Sequence, residues 1–139
     1  YVLEQKDKSL VEASQEINFA RIFLNLLAIR FEGSLAIHIT DGDIQEDEQV
    51  VPLALQLLIE NAIKHNSLSL HNLLHINIYK QDNKLIIQNN LQEKESISGM
   101  GIGLKNIIDR YALLTRHPVT ITKTADHFIV ALPLIKKGN

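Results

Sequence analysis

The segment Pro52–Asn66, PLALQLLIENAIKHN, writes two surfaces onto one helix. Proline suits a first helical turn, and about four turns can follow it. Leu55, Leu58, Ile59 and Ala62 recur at i, i+3, i+4 and i+7, the spacing of an apolar stripe that packs on a sheet. Asn61, Lys64 and His65 share a second face through the same i, i+3 and i+4 relation. A carboxamide oxygen ligates a hard cation, and an ammonium and an imidazole meet phosphate oxygens. Together they suit a metal-bound polyphosphate. A helix with one merely solvated side carries the same pattern, so a second motif has to decide.

That motif is Gly99–Arg110, GMGIGLKNIIDR. Gly99, Gly101 and Gly103 alternate, which allows close backbone approach, and Leu104, Ile107, Ile108 and Tyr111 then follow at helical spacing. A loop that opens directly into a helix presents free N–H groups, here those of Leu104 and Lys105, and a partial positive charge suited to phosphate. A turn kept glycine-rich for tight packing is the plain alternative. No Gly-Lys-Ser/Thr follows, which excludes a Walker A loop, and the third glycine falls one residue early for the dinucleotide fingerprint.

Outward from these motifs, Ser9–Arg30 reads as a long helix. Ser9 and Glu12 stand in capping-box positions, and apolar residues cover so much of the circumference that burial on more than one side is expected. Ser34–Thr40 alternates as a strand, and the acidic stretch Asp41–Gln49 reads as a solvated loop. Leu73–Lys80 and Lys84–Asn90 form a hairpin around Gln81-Asp82-Asn83, and Gln92–Ser98 is a polar loop short of anchors. A helix from Gly103 to about Thr115 precedes a last strand pair, Pro118–Thr124 and His127–Leu134, and a polar tail, Lys136–Asn139. The economical arrangement is a two-layer α/β sandwich: one mixed, mostly antiparallel sheet with three helices on one face.

The 139 residues, 45% hydrophobic and 22% charged, suffice for one domain with a real core. A net charge of -2 without a dense Lys/Arg stripe gives no case for nucleic acid. Absence of cysteine rules out disulfides and thiolate metal sites and fits a reducing cytoplasm. His71 and His75 suit a zinc pair only on a helix, and no third ligand accompanies them. The abrupt start at Tyr1 reads as a segment cut from a longer protein.

The two motifs, in this order, resemble the ATP-binding catalytic domain of LytS-type sensor histidine kinases. LQLLIENAIKHN is similar to that family's LQPLVENAIKHG, GMGIGLKNIIDR to its GTGIGLKNVRERL, and YVLEQ and AIRFE continue the likeness on the flanks. The resemblance implies a Bergerat fold, shared with type II topoisomerases and one class of chaperones, over residues 9–139. Residues 1–8 would be the tail of an upstream dimerisation region. It implies ATP and Mg²⁺, with Asn61 as the metal ligand, Lys64 and His65 near the phosphates, and Gly99, Gly101, Gly103, Leu104 and Lys105 around them. Gln92–Ser98 would be the ATP lid. Asn89 stands where many relatives carry the aspartate of Asp-x-Gly that accepts from the adenine amino group, and Leu91 stands where a glycine is common. Asn106 and Arg110 continue the family wording but also suit a purely helix-stabilising role. Glu60 points about 100° away from Asn61, so it would orient water or a ligand-holding group.

The same resemblance implies phosphoryl transfer to a histidine on a separate upstream domain, since His38, His65, His71, His75, His117 and His127 all lack the NPHFLFN-like acceptor context. A response regulator, a homodimer of the full-length protein and a cytoplasmic position in a bacterial inner-membrane sensor follow from it. Two alternatives use the same pocket: an ATPase of the same superfamily and a nucleotide-dependent protein-binding regulator. ATPase branches place a glutamate four residues before the metal asparagine, and that position here is Leu57.

Overall fold

The computed structural model describes residues 10–92 and 102–138. Three helices, α1 (Ala13–Arg30), α2 (Ala54–His65) and α3 (Ile102–Leu114), lie with two sheets. The larger sheet contains β2 (Leu35–Thr40), β4 (Leu74–Gln81), β5 (Lys84–Asn90), β7 (His127–Pro133) and β6 (Thr120–Lys123), in that spatial order. Only β2 and β4 pair in parallel; the remaining neighbours are antiparallel. The two-layer α/β arrangement expected from the sequence is therefore present.

One sheet face forms the core. Leu74, Ile76 and Ile78 of β4, Leu85 and Ile87 of β5, and Val130 and Leu132 of β7 alternate toward the helices and are buried there. The opposite face is more polar, and there Tyr79 Oη donates to Gln88 Oε1 at 2.9 Å between β4 and β5. All four members of the apolar stripe on α2, Leu55, Leu58, Ile59 and Ala62, are buried.

Several boundaries differ from the sequence reading. A second, three-stranded antiparallel sheet joins β1 (Val11–Glu12), β3 (Glu48–Val50) and β8 (Ile135–Lys136). Val11 pairs with Val50, so the chain stays extended through Glu12 and α1 begins only at Ala13. Glu12 is thus the residue before the helix and makes no side-chain capping bond, while Ser9 lies outside the described residues. The supposed solvated loop contributes β3, and its Glu48 is buried, with Oε1 and Oε2 each 3.0 Å from Lys80 Nζ. That pair ties the small sheet to β4. Two more acids of this stretch are also paired, Asp41 with Arg21 at 3.0 Å and Asp47 with Lys136 at 3.6 Å. Nor is α1 buried on more than one side: Ala13, Glu16, Ile17, Ala20 and Leu24 face the core, whereas Ile22, Leu26 and Ile29 are exposed.

Pro52 also sits outside α2, in the turn before it, and Leu53 at the N-cap has φ 65°. Helices on either side hold this turn. Val51 N–H donates to Tyr111 Oη of α3 at 3.2 Å, and Leu53 N–H donates to the buried Glu16 Oε1 of α1 at 3.1 Å. Tyr111 is fully buried, and burial, more than the nearby Glu16 charge, pushes its phenol well above the ordinary tyrosine range.

Removing the hydroxyl leaves the Val51 N–H buried without an acceptor. Tyr111→Phe should therefore lower unfolding free energy by about 1–3 kcal/mol in urea titrations, without loss of helical signal. A phenol whose folded pKa is raised contributes stability that is complete below the unfolded value of about 10 and declines as pH rises past it. Wild-type stability should fall above that pH, and the Phe variant should lack this tyrosine's share of the fall.

Candidate functional site

The candidate residues of α2 fall into place once the core stripe is fixed. Leu57, Asn61 and Lys64 stand at i, i+4 and i+7 on a side outside that stripe. Leu57 marks which neighbour this side meets, because a Cβ added at Gly103 would lie 3.7 Å from Leu57 Cδ2. The side therefore runs past the first turn of α3. Asn61 comes one turn, about 5.4 Å, further along α2, and Lys64 and His65 follow in its last turn. Asn61 and His65 are half-buried and Lys64 is exposed. Glu60 is exposed on another side and accepts from Gln56 Nε2 at 3.3 Å.

The start of α3 supplies the second part. The helix begins at Ile102, within a residue of the expected start. Its first N–H groups, including those of Gly103, Leu104 and Lys105, have no carbonyl one turn earlier within the helix. The Leu104 side chain is buried in the core, so only its backbone is offered to a ligand. Asn106 and Arg110 are exposed. Gly99, Gly101 and most of the expected lid lie outside the described residues.

Asn89 supplies the third part. It is buried on β5, on the helix-facing side with Leu85 and Ile87, and in register between Ile76 and Phe128. Its Nδ2 donates to Asn90 O at 2.8 Å. A carboxamide acceptor thus sits in the floor of the sheet. The strand end beyond it is well anchored: Leu91 N–H donates to Asp126 O at 2.8 Å, and Asn90 Nδ2 donates to Leu73 O at 3.0 Å.

Asn66 is a residue that sequence reasoning missed. Buried just past α2, it donates through Nδ2 to Ala62 O at 2.7 Å and accepts the Gln92 N–H on Oδ1 at 2.8 Å. Ser67 N–H donates to Gln92 O at 2.8 Å, so the end of α2 is latched to the chain leaving β5. The only local signal was an asparagine directly after the helical pattern, a common C-terminal residue.

The zinc alternative has no support from geometry. His75 lies on β4 with its Nδ1 3.4 Å from His38 Nε2, not beside His71, and no cluster of three His, Cys, Asp or Glu is present among the described residues.

Comparisons with known proteins fit this geometry. No family model matches the chain. The sensor protein LytS of Oceanobacillus iheyensis is 34% identical over 87 residues, which cover 61% of this chain and 15% of that protein, so the chain spans a small part of this relative. The cytoplasmic segment of histidine kinase QseC superposes with a TM-score of 0.64 at 10% identity, covering 91% of this chain and 77% of that one. The catalytic domain of histidine kinase ThkA, in a nucleotide-free form, gives 0.55 at 15% identity, covering 92% and 97%. By sequence the chain is similar to a LytS sensor protein, and its fold is that of histidine kinase catalytic domains.

Proposed function

We propose that this chain is the ATP-binding catalytic domain of a sensor histidine kinase, which binds ATP with Mg²⁺ and donates the γ-phosphate to a histidine on a separate upstream domain. The observation that carries the reading is the side of α2 on which Leu57 meets Gly103 of α3 while Asn61 and Lys64 continue along the same line. On this reading a hard-cation ligand and an ammonium would flank a helix N-terminus, three features suited to one polyphosphate.

The residues fit both groups. The Asn61 carboxamide oxygen would ligate Mg²⁺, Lys64 and His65 would donate to phosphate oxygens, and the N–H groups of Gly103, Leu104 and Lys105 would add neutral donors. Gly99 and Gly101 are expected to extend that cradle. Asn89 would accept from the adenine amino group through its amide oxygen. Bound Mg²⁺ would neutralise phosphate charge as it develops on transfer. The protein's own part is to hold the terminal phosphate in line with an incoming nucleophile and to keep water from competing.

Leu57 supports transfer over hydrolysis. An aliphatic side chain packed against the start of α3 stands where the ATPase branches need a glutamate to activate water. The acceptor would belong to an upstream dimerisation domain, with residues 1–8 as its tail, and a response regulator would take the phosphoryl group onward. The chain spans only 15% of a much longer sensor protein, and on this reading the whole would be homodimeric and membrane-associated, with this domain in the cytoplasm. No helix among the described residues is long and apolar enough to cross a membrane.

Two measurements test the reading. At ATP concentrations about 100 times the dissociation constant, ligand should stabilise the wild-type chain by about 2.7 kcal/mol in thermal-shift assays. Asn61→Ala should keep the fold but lose the Mg²⁺-dependent part of that shift, and equal magnesium dependence in the variant would remove Asn61 from the site. With γ-labelled ATP, the chain should not label itself. Supplied with the upstream helical hairpin of its own protein, it should label a histidine there, giving an acid-labile, base-stable product. Rapid phosphate release into water without an acceptor would favour the ATPase alternative.

A further inference from the structure

The face of the large sheet turned away from the helices holds a grouping of side chains that the nucleotide reading does not use. Strands β2 and β4 run parallel, with Ala36 opposite His75 and His38 opposite Asn77. Residues two apart share a face, so His38 and His75 are diagonal neighbours, and Ala36 is small enough to leave that diagonal open. The inward residues of these strands, Ile37 and Ile76, pack in the core, which leaves both histidines outside, and both are exposed. His38 Nε2 and His75 Nδ1 lie 3.4 Å apart, with the ring centroids at 5.6 Å and the ring planes 9° from parallel. The His75 backbone is fixed by its N–H, which donates to Asn90 Oδ1 at 2.6 Å.

Separation and chemistry both narrow what this pair holds. Two imidazole nitrogens on one tetrahedral zinc ion, each about 2.0–2.1 Å from the metal, stand about 3.3–3.4 Å from each other. Without a metal the same nitrogens approach only as donor and acceptor of one shared proton, and among the described residues each has the other as its partner. Both rings are exposed, so a small outward swing aims both lone pairs at one point. Imidazoles suit Zn²⁺, Cu²⁺ and Ni²⁺, whereas Mg²⁺ and Ca²⁺ take oxygen ligands. No cluster of three His, Cys, Asp or Glu is present among the described residues, so the pair forms an open two-ligand chelate, with water completing the shell, and not a closed structural site.

We propose that His38 and His75 chelate one divalent late transition metal, with a spacing that fits Zn²⁺, and so clip β2 to β4. This is not the His71–His75 pair that spacing along the chain suggests, since it forms only across strands. β2 is an edge strand with β4 as its neighbour in the sheet, and the clip joins residues 37 apart. A metal that binds the folded pair and not the separated strands stabilises the fold. The helices lie on the other face, so the chelate is independent of the nucleotide reading.

Calorimetric titration of the 139-residue chain with Zn²⁺ reads the site directly. The chain has no cysteine, so thiolates do not compete. One equivalent should bind with a dissociation constant below about 1 mM, unaffected by Mg²⁺ in excess. His38→Ala and His75→Ala should each weaken binding by at least about tenfold, and the double variant should bind no more weakly than either single one, because a chelate is lost with its first ligand. His71→Ala should bind as the wild type does. Zn²⁺ should also raise the melting temperature of the wild-type chain and not that of the His38→Ala chain. Since His38 is exposed, that variant should keep the wild-type circular dichroism without metal. Absence of saturable binding would overturn the proposal, as would wild-type affinity in either single variant or an equal loss in His71→Ala.

Discussion

Two side-chain acceptors under one turn set how α2 is held between α1 and α3. In Val51-Pro52-Leu53, proline has no N–H, so the turn offers only two backbone donors, and both are taken by side chains from other helices. Tyr111 of α3 accepts one and Glu16 of α1 accepts the other. Leu53 holds a left-handed conformation that costs a non-glycine residue roughly 1–2 kcal/mol, a cost of the same order as these two bonds contribute. The arrangement fixes the rotation of α2 about its axis. A slip of one residue, about 100°, would turn Asn61 toward the sheet and expose part of the apolar stripe.

The same logic separates what was legible in the sequence from what was not. Period and amphipathicity revealed α2, the β4–β5 hairpin and the start of α3, because each is long enough to repeat its pattern. The strands Val11–Glu12 and Ile135–Lys136 have two residues each, and no period exists in two residues. Ser9 and Glu12 suited a capping box locally, but pairing of Val11 with Val50 decided the backbone there. Glu48 looked solvated because its partner Lys80 is 32 residues away. The apolar circumference of α1 was read as burial, whereas the domain covers only one stripe; composition does not say whether an apolar side meets its own core or another molecule. In the candidate site, the common side of α2 that carries Asn61, Lys64 and His65 was readable from spacing alone. Asn66 was not, since its partner is the backbone of Gln92, 26 residues on.

The Asn66 latch and the Asn89 floor belong to one device at the end of β5. Asn90 ties that strand end to Leu73 and to the His75 N–H, Leu91 ties it to Asp126, and Gln92 ties it to Asn66 and Leu73. Through these bonds the polar end of α2 and the end of the central strand are tied together. A ligand spanning both would meet donors and acceptors whose separation is already set, and ordering them on binding would cost little.

On the resemblance to histidine kinases, Asn89 would stand in for an aspartate, which would change the electrostatics of that floor without removing its acceptor. A carboxylate at so buried a position must be matched by a cation or by several donors, or its pKa rises and the charge is lost. An amide has no such requirement, but it brings an ambiguity: turned over, it would donate to a purine carbonyl instead of accepting from a purine amine. The bond from Asn89 Nδ2 to Asn90 O opposes that inversion, because flipping the side chain would set oxygen against oxygen at 2.8 Å. On the nucleotide reading, preference for an amino purine over an oxo purine therefore rests on Asn90, a residue whose side chain faces the other side of the sheet and whose contribution is its own carbonyl.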